Sequence, residues 1–241
     1  ARALTYARLR SNQSEKVIAS VAPKIGEDLK NAEGEDLALL GRAYIDSGDL
    51  SRGRQMIAEA AGKLPDSGEL KLELGAVDLA LGHLSDAVVN LERGVASEEE
   101  PGEAQMALIA AYVRAGDLAK AEGVAQRLVE RFPDEAISYN LAGGVQALRA
   151  HPDRARELFE KALAINPNYE PAALNLADLD KREGKLAQAR TRYETILKGR
   201  PANVNALVGL SQVARADNKM DEARGLLDKA YALAPRDRTV V

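Results

Sequence analysis

Gly48-Asp49-Leu50, Gly82-His83-Leu84 and Gly116-Asp117-Leu118 stand 34 residues apart (82 − 48 and 116 − 82). The same step leads on to Ala150-His151-Pro152, Gly184-Lys185-Leu186 and Asn218-Lys219-Met220. Glycine or asparagine at the end of a helical run fits a left-handed residue at which the chain turns sharply. The apolar residue two places later, from Leu50 to Met220, can plug the base of a helix pair. Five residues after each turn position comes a small side chain: Gly53, Ala87, Ala121, Ala155, Ala189 and Ala223. Such a residue lets a second helix approach the first closely. Pro65, Pro133, Pro167, Pro201 and Pro235 close the units, where a helix cannot easily continue.

Working outward from these strings, six units of 34 residues follow: 34–67, 68–101, 102–135, 136–169, 170–203 and 204–237. A degenerate helical unit, 1–33, precedes them, and a short tail, 238–241, ends the chain. Within 1–33, Ala3 to Arg10 and Glu15 to Lys30 read as two helices, with Pro23 interrupting the second. In the second unit the closing Pro101 falls two places late, after the solvated connector Glu98-Glu99-Glu100. At the fourth turn, Ala150 followed by Pro152 predicts a wider turn over 150–153.

The composition agrees with thin packed helices. Hydrophobic residues make up 46% of the chain, mostly Ala, Leu and Val, while aromatics reach only 4%. Charged residues make up 29%, the two signs are mixed, and the net charge is −4. Nucleic-acid binding depends on a basic excess, and this chain has none. It has no cysteine, which removes disulfides, thiolate metal sites and thiol nucleophiles. No apolar run approaches the roughly 18 residues that cross a bilayer. The start at Ala1, with no signal-like segment, reads as a piece excised from something longer.

Two segments carry a family likeness. Leu40-Gly41-Tyr44-Gly53-Ile57-Ala60-Pro65 and Tyr139-Gly143-Ala155-Phe159-Ala162-Pro167 resemble the pattern of the tetratricopeptide repeat, and the register holds over 34–237. The resemblance implies an all-α solenoid of antiparallel helix pairs stacked into a right-handed superhelix with a concave inner face. It also implies a protein or peptide partner held on that face by the first helix of each unit. The residues it places there are Leu72, Ala76 and Leu79, then Met106, Ala110 and Val113, then Asn140, Gly144 and Ala147. Leu174, Asn175, Asp178, Arg182, Gln212 and Arg215 complete the set. The stripe is apolar and small in the middle and polar toward the C-terminal end, and an exposed apolar strip points to a partner. The amides and cations would suit a peptide's terminal carboxylate, but Asp178 among them would repel one. Self-association, with a second copy covering the strip, is the competing expectation.

The family commonly has an aromatic at the eleventh position of each unit. Tyr44 and Tyr112 comply; Asp78, Gln146 and Asp180 do not. A polar group buried there needs partners or costs about 1–3 kcal/mol, so the three are either bonded to a neighbouring helix or part of a polar ligand site.

Catalytic and metal constellations are not legible. His83 and His151, the only imidazoles, sit at two turns 68 residues apart (151 − 83), too few to make a site of three or four ligands with Asp86 or Asp153. No phosphate-binding glycine loop, nucleophile elbow or zinc-protease motif occurs. The sequence therefore predicts no enzyme activity, no cofactor and no metal.

A narrower likeness lies in Leu39-Leu40-Gly41-Arg42-Ala43-Tyr44, Pro171-Ala172-Ala173-Leu174-Asn175-Leu176-Ala177 and Glu183-Gly184-Lys185 with Ala189-Arg190. These resemble the repeat lipoproteins of bacterial PEP-CTERM/exosortase systems. That resemblance implies a periplasmic or outer-membrane-attached scaffold of exopolysaccharide or protein-sorting machinery. A substrate-positioning or regulatory arm of a larger enzyme is the alternative from another class.

Overall fold

The computed structural model describes residues 13–26, 29–95 and 102–235. Among them are thirteen α-helices, one 3-10 turn and no strand. The helix expected over Ala3–Arg10, the Glu98–Pro101 connector and the 238–241 tail lie outside the described residues.

Helix α1 (Ser14–Ile25) is followed by a 3-10 turn, Leu29–Asn31. The helices then come in pairs: α2 (Gly34–Asp46) with α3 (Leu50–Lys63), and α4 (Gly68–Leu81) with α5 (Leu84–Val95). Next are α6 (Glu103–Arg114) with α7 (Leu118–Arg131), and α8 (Ala136–Leu148) with α9 (Pro152–Ile165). The last are α10 (Glu170–Arg182) with α11 (Leu186–Gly199), and α12 (Val204–Ala216) with α13 (Met220–Leu233). The chain divides into two compact units, 1–124 and 125–241, with the boundary inside α7.

One turn geometry joins the helices of every pair. Gly48, Gly82, Gly116 and Gly184 take φ between +76° and +89°, and Ala150 and Asn218 take +60° and +59° in the same place. The next residue's N–H then donates back to the carbonyl five residues earlier, as from Asp49 to Tyr44 at 2.9 Å and from His151 to Gln146 at 3.0 Å. These bonds satisfy carbonyls that a helix end otherwise leaves open. The fourth turn is therefore not wider than the others. Ala150 accepts the left-handed conformation at a steric cost, and Pro152 sits at the first position of α9, where it needs no amide.

Side chains start several helices. Asp49 accepts from the Arg52 amide at 3.1 Å, Ser67 from Leu70 at 3.2 Å and Asn203 from Ala206 at 2.8 Å. Where the closing proline is described, the second helix of a pair ends two residues before it, as α9 does at Ile165-Asn166-Pro167. Pro23 lies inside α1, which stops two residues later at Ile25, short of Lys30.

Within a pair, glycine sets the separation. A Cβ added to Gly75 of α4 would come 2.6 Å from Leu91 of α5, and one on Gly143 of α8 would come 2.6 Å from Phe159 of α9. The core of the first unit runs through Val17, Leu37, Leu40, Ile57, Ala60 and Leu70, with α1 covering α2. In the second unit Ala177, Ala189, Tyr193, Ala206, Leu210 and Val213 form a comparable cluster between α10, α11, α12 and their neighbours.

Candidate functional site

Arginines in three of the second helices bind their pair to the next. In the first unit Arg54 of α3 donates through Nε to Asp78 of α4, and through Nη2 to Asp86 of α5 at 2.9 Å. In the second unit Arg156 of α9 donates to Asp180 at 2.7 Å and Glu183 at 2.9 Å, both of α10 and its end. Arg190 of α11 pairs likewise with Asp217 and Glu222 of the last pair. Each of these arginines lies 34 or 102 residues from another, so they share one repeat position (190 − 156 and 156 − 54).

Asp78 is 0% exposed and Asp180 is 1% exposed. Asp78 also accepts from Asn90 Nδ2 at 3.0 Å, and Asp180 accepts from Arg192 Nε at 2.8 Å. These two acids at the eleventh position are thus bonded to neighbouring helices and do not face a ligand. Gln146 Oε1 lies 3.0 Å from His151 Nδ1 at its own turn. Asp78, His83 and Asp86 hold potential metal-ligating atoms within 4.8 Å of one another. The Arg54 guanidinium already occupies both carboxylates there, its charge held by the hydrogen bond to Asp78. That arrangement is an ion-pair network, and no metal is assigned to it.

The expected partner-facing residues fall into two sets, one per unit. In the first unit α4 and α6 are adjacent, and Arg114 Nη1 donates to the Leu79 carbonyl at 2.7 Å, tying one to the other. Ala76 is exposed, Leu79, Ala110 and Val113 are half-buried, and Met106 is 47% exposed. Leu72 instead lies against Gly94 of α5, where an added Cβ would come 2.4 Å from it, so its role is in pair packing. Arg42 of α2 reaches Glu73 at 2.7 Å and Glu69 at 2.8 Å, so charge borders this apolar strip. Burial pushes the Glu73 carboxyl up, against the pull of Arg42.

In the second unit a cavity of about 720 Å³ opens between α10 and α12. Leu174, Asn175, Asp178 and Gln212 line it, as the resemblance implied, together with Glu170, Pro171, Lys181, Asn205, Val208 and Gly209. Asp178 accepts from both Lys181 Nζ and Tyr193 Oη at 2.7 Å, and Lys181 also donates to Gln212 at 2.6 Å. Burial, and then the Asp178 carboxylate, raise the Tyr193 pKa, keeping the phenol protonated as the donor. Asn175 donates to Asn140 at 2.8 Å, joining α10 to α8. Asn140 is buried, Ala147 is half-buried, and Gly144 has open space where a Cβ would stand. Arg182 and Arg215 are exposed and stand outside the cavity lining.

The floor at Gly209 was not legible from periodicity, because it depends on one contact: a Cβ there would come 2.4 Å from the Tyr193 ring. The site therefore offers apolar walls, amides and a charge pair whose two members already bond each other. Such a surface can hydrogen-bond a peptide backbone and bury side chains. The charge left for a terminal carboxylate is small, because Asp178 holds Lys181.

A sequence model described as tetratricopeptide repeat matches residues 72–136, 106–170 and 174–238, and a second of the same description matches 149–198. Human protein O-mannosyl-transferase TMTC1 is 26% identical over 196 residues, covering 80% of this chain and 22% of that protein. Cellulose synthase 1 operon protein C of Komagataeibacter xylinus is 27% identical over 177 residues, covering 68% of this chain and 13% of that one. The chain thus spans less than a quarter of either relative, 22% and 13%. A crystal structure of a tetratricopeptide repeat protein from Parabacteroides merdae superposes with a TM-score of 0.68 at 18% identity, covering 86% of this chain and 82% of that one. With helix pairs joined by one turn geometry and family matches running through residues 72–238, the chain belongs to the tetratricopeptide repeat family.

Proposed function

We propose that this chain is a non-catalytic scaffold that holds a protein partner, as a peptide or helix, on the exposed faces of its first helices. The observation that supports this most strongly is the cavity between α10 and α12, where Leu174 and Val208 stand beside Asn175, Asn205 and Gln212. Apolar walls with a few convergent amides suit a polypeptide, whose backbone needs donors and acceptors and whose side chains need burial. The Met106 strip of the first unit supplies a second, more apolar contact surface, with Ala76 and Ala110 leaving room for a backbone. The proposed setting is a bacterial envelope system for exopolysaccharide or protein sorting, with periplasmic or outer-membrane attachment. The PEP-CTERM-like segments support it, as does the likeness to a protein named for a cellulose synthase operon.

The test is capture of partners by the whole protein in its own host, wild type against Asn175→Ala/Gln212→Ala. Loss of a discrete partner with unchanged helicity is expected; undiminished capture would remove the cavity from the docking surface. A second reading, a substrate-positioning arm of a larger enzyme, draws support from the match to 22% of a protein O-mannosyl-transferase.

A further inference from the structure

The two helices that flank the second unit's cavity hold more positive charge than their own acids use. On α10 every acid is committed: Glu170 to Arg200 at 3.2 Å, Asp178 to Lys181 at 2.7 Å, and buried Asp180 to Arg156 at 2.7 Å and Arg192 at 2.8 Å. Arg182 is the remaining charge of that helix, and Arg215 is the one charged residue of α12. Both are exposed, and neither has an ion-pair partner among the described residues. The acids just past the helix ends are taken as well, Glu183 by Arg156 and Lys185, and Asp217 by Arg190. This face therefore keeps two uncommitted guanidinium groups on a chain whose net charge is −4.

Arg182 follows Asp178 by four residues and Arg215 follows Gln212 by three, and Asp178 and Gln212 both line the cavity. Residues three or four apart share one helix face, so the two arginines stand one turn beyond the cavity on its own side. Lys181 occupies the level between, bonded to Asp178 and, at 2.6 Å, to Gln212. A ligand seated against Leu174 and Val208 meets apolar surface and amides first, and free guanidinium groups next. A cation in a last helical turn also suits the helix dipole. The dipole gives neither arginine a carboxylate, the group that a guanidinium fork matches best.

We propose, on the reading that the α10–α12 cavity docks a partner, that this face takes an acidic internal segment of a protein. An apolar side chain of that segment enters the cavity, and its Asp or Glu side chains reach Arg182 and Arg215. The test is selection of random peptides displayed on phage with their C-termini fused, so that no terminal carboxylate is offered, against the whole protein. Peptides that join a large apolar residue to Asp or Glu are expected. Arg182→Glu/Arg215→Glu should weaken binding of a selected synthetic peptide by about tenfold, the size expected for two partly exposed charge pairs. Arg182→Gln/Arg215→Gln should fall between, with far-ultraviolet circular dichroism unchanged throughout. Peptides with no acidic bias, or acidic peptides indifferent to both arginine variants, would overturn the proposal and leave docking in the cavity standing. Retention of polygalacturonate without selection of acidic peptides would assign the arginines to an anionic glycan and overturn it too. Selection of no peptide, or of peptides indifferent to Asn175→Ala/Gln212→Ala, would remove the docking reading together with this one.

Discussion

Single residues carry much of the bonding between pairs. Asp78 is fully buried while Arg54 keeps 30% of its side chain exposed, so the acid depends on the arginine more than the reverse. Removing one member of a buried pair leaves an uncompensated charge. Arg54→Met should therefore destabilise the protein by about 3 kcal/mol, the low end of the usual range because the arginine is partly solvated. Arg54→Met/Asp78→Leu should recover most of that loss in urea denaturation. At the fourth turn, Ala150 holds a left-handed φ of +60°, so Ala150→Gly should stabilise by roughly 0.5–1 kcal/mol, read as a higher denaturation midpoint.

The Glu222 carboxyl, held low by its hydrogen bond to Arg190, ties the last two pairs. A depressed folded-state pKa contributes stability that is present above the unfolded value of about 4.3 and lost as pH falls through the folded one. The stability difference between wild type and Glu222→Gln should therefore shrink as pH is lowered from about 6 to about 3. A constant difference would remove the charge from the account.

At the scale of elements, the separation of paired helices rests on a small residue facing a large one. Gly75 and Gly143 meet Leu91 and Phe159, and Gly75→Val should cost about 1–3 kcal/mol by overpacking, seen as a lower thermal midpoint. The surface strip of α4 and α6 has no such constraint. Met106→Glu/Val113→Glu should leave helicity unchanged and abolish capture of any partner that docks there.

Helices and turns were the most legible features because each depends on local chemistry repeated every 34 residues: a left-handed residue, a small residue five places on, a proline. The end of α1 at Ile25 was less so, since Lys30 continues no strong pattern and Gly26 breaks it. Leu72 fits the periodicity of a surface strip, yet the absence of a side chain at Gly94 draws it inward. Spacing on one helix could not show that.

Across the whole molecule, Arg54, Arg156 and Arg190 place charges of both signs in pairs between successive helix pairs. Arg54 and Asp78, 24 residues apart, look unrelated in a linear reading, and only the stacked repeats bring them together. For the same reason the sequence left open whether Asp78 and Asp180 face a ligand, and the burial of both closes it. A chain built this way gains stability from nearest-neighbour interfaces, and what its polar first-helix faces do not spend on those interfaces remains for a partner.

The docking role of those faces is tested most directly by photo-crosslinking in the native host, from a probe replacing Gln212 in the whole protein and from a control replacing exposed Glu160 on α9. A discrete protein adduct from position 212 and none from position 160 is the predicted result. Equal adducts from both positions, or self-adducts alone from position 212, would contradict it.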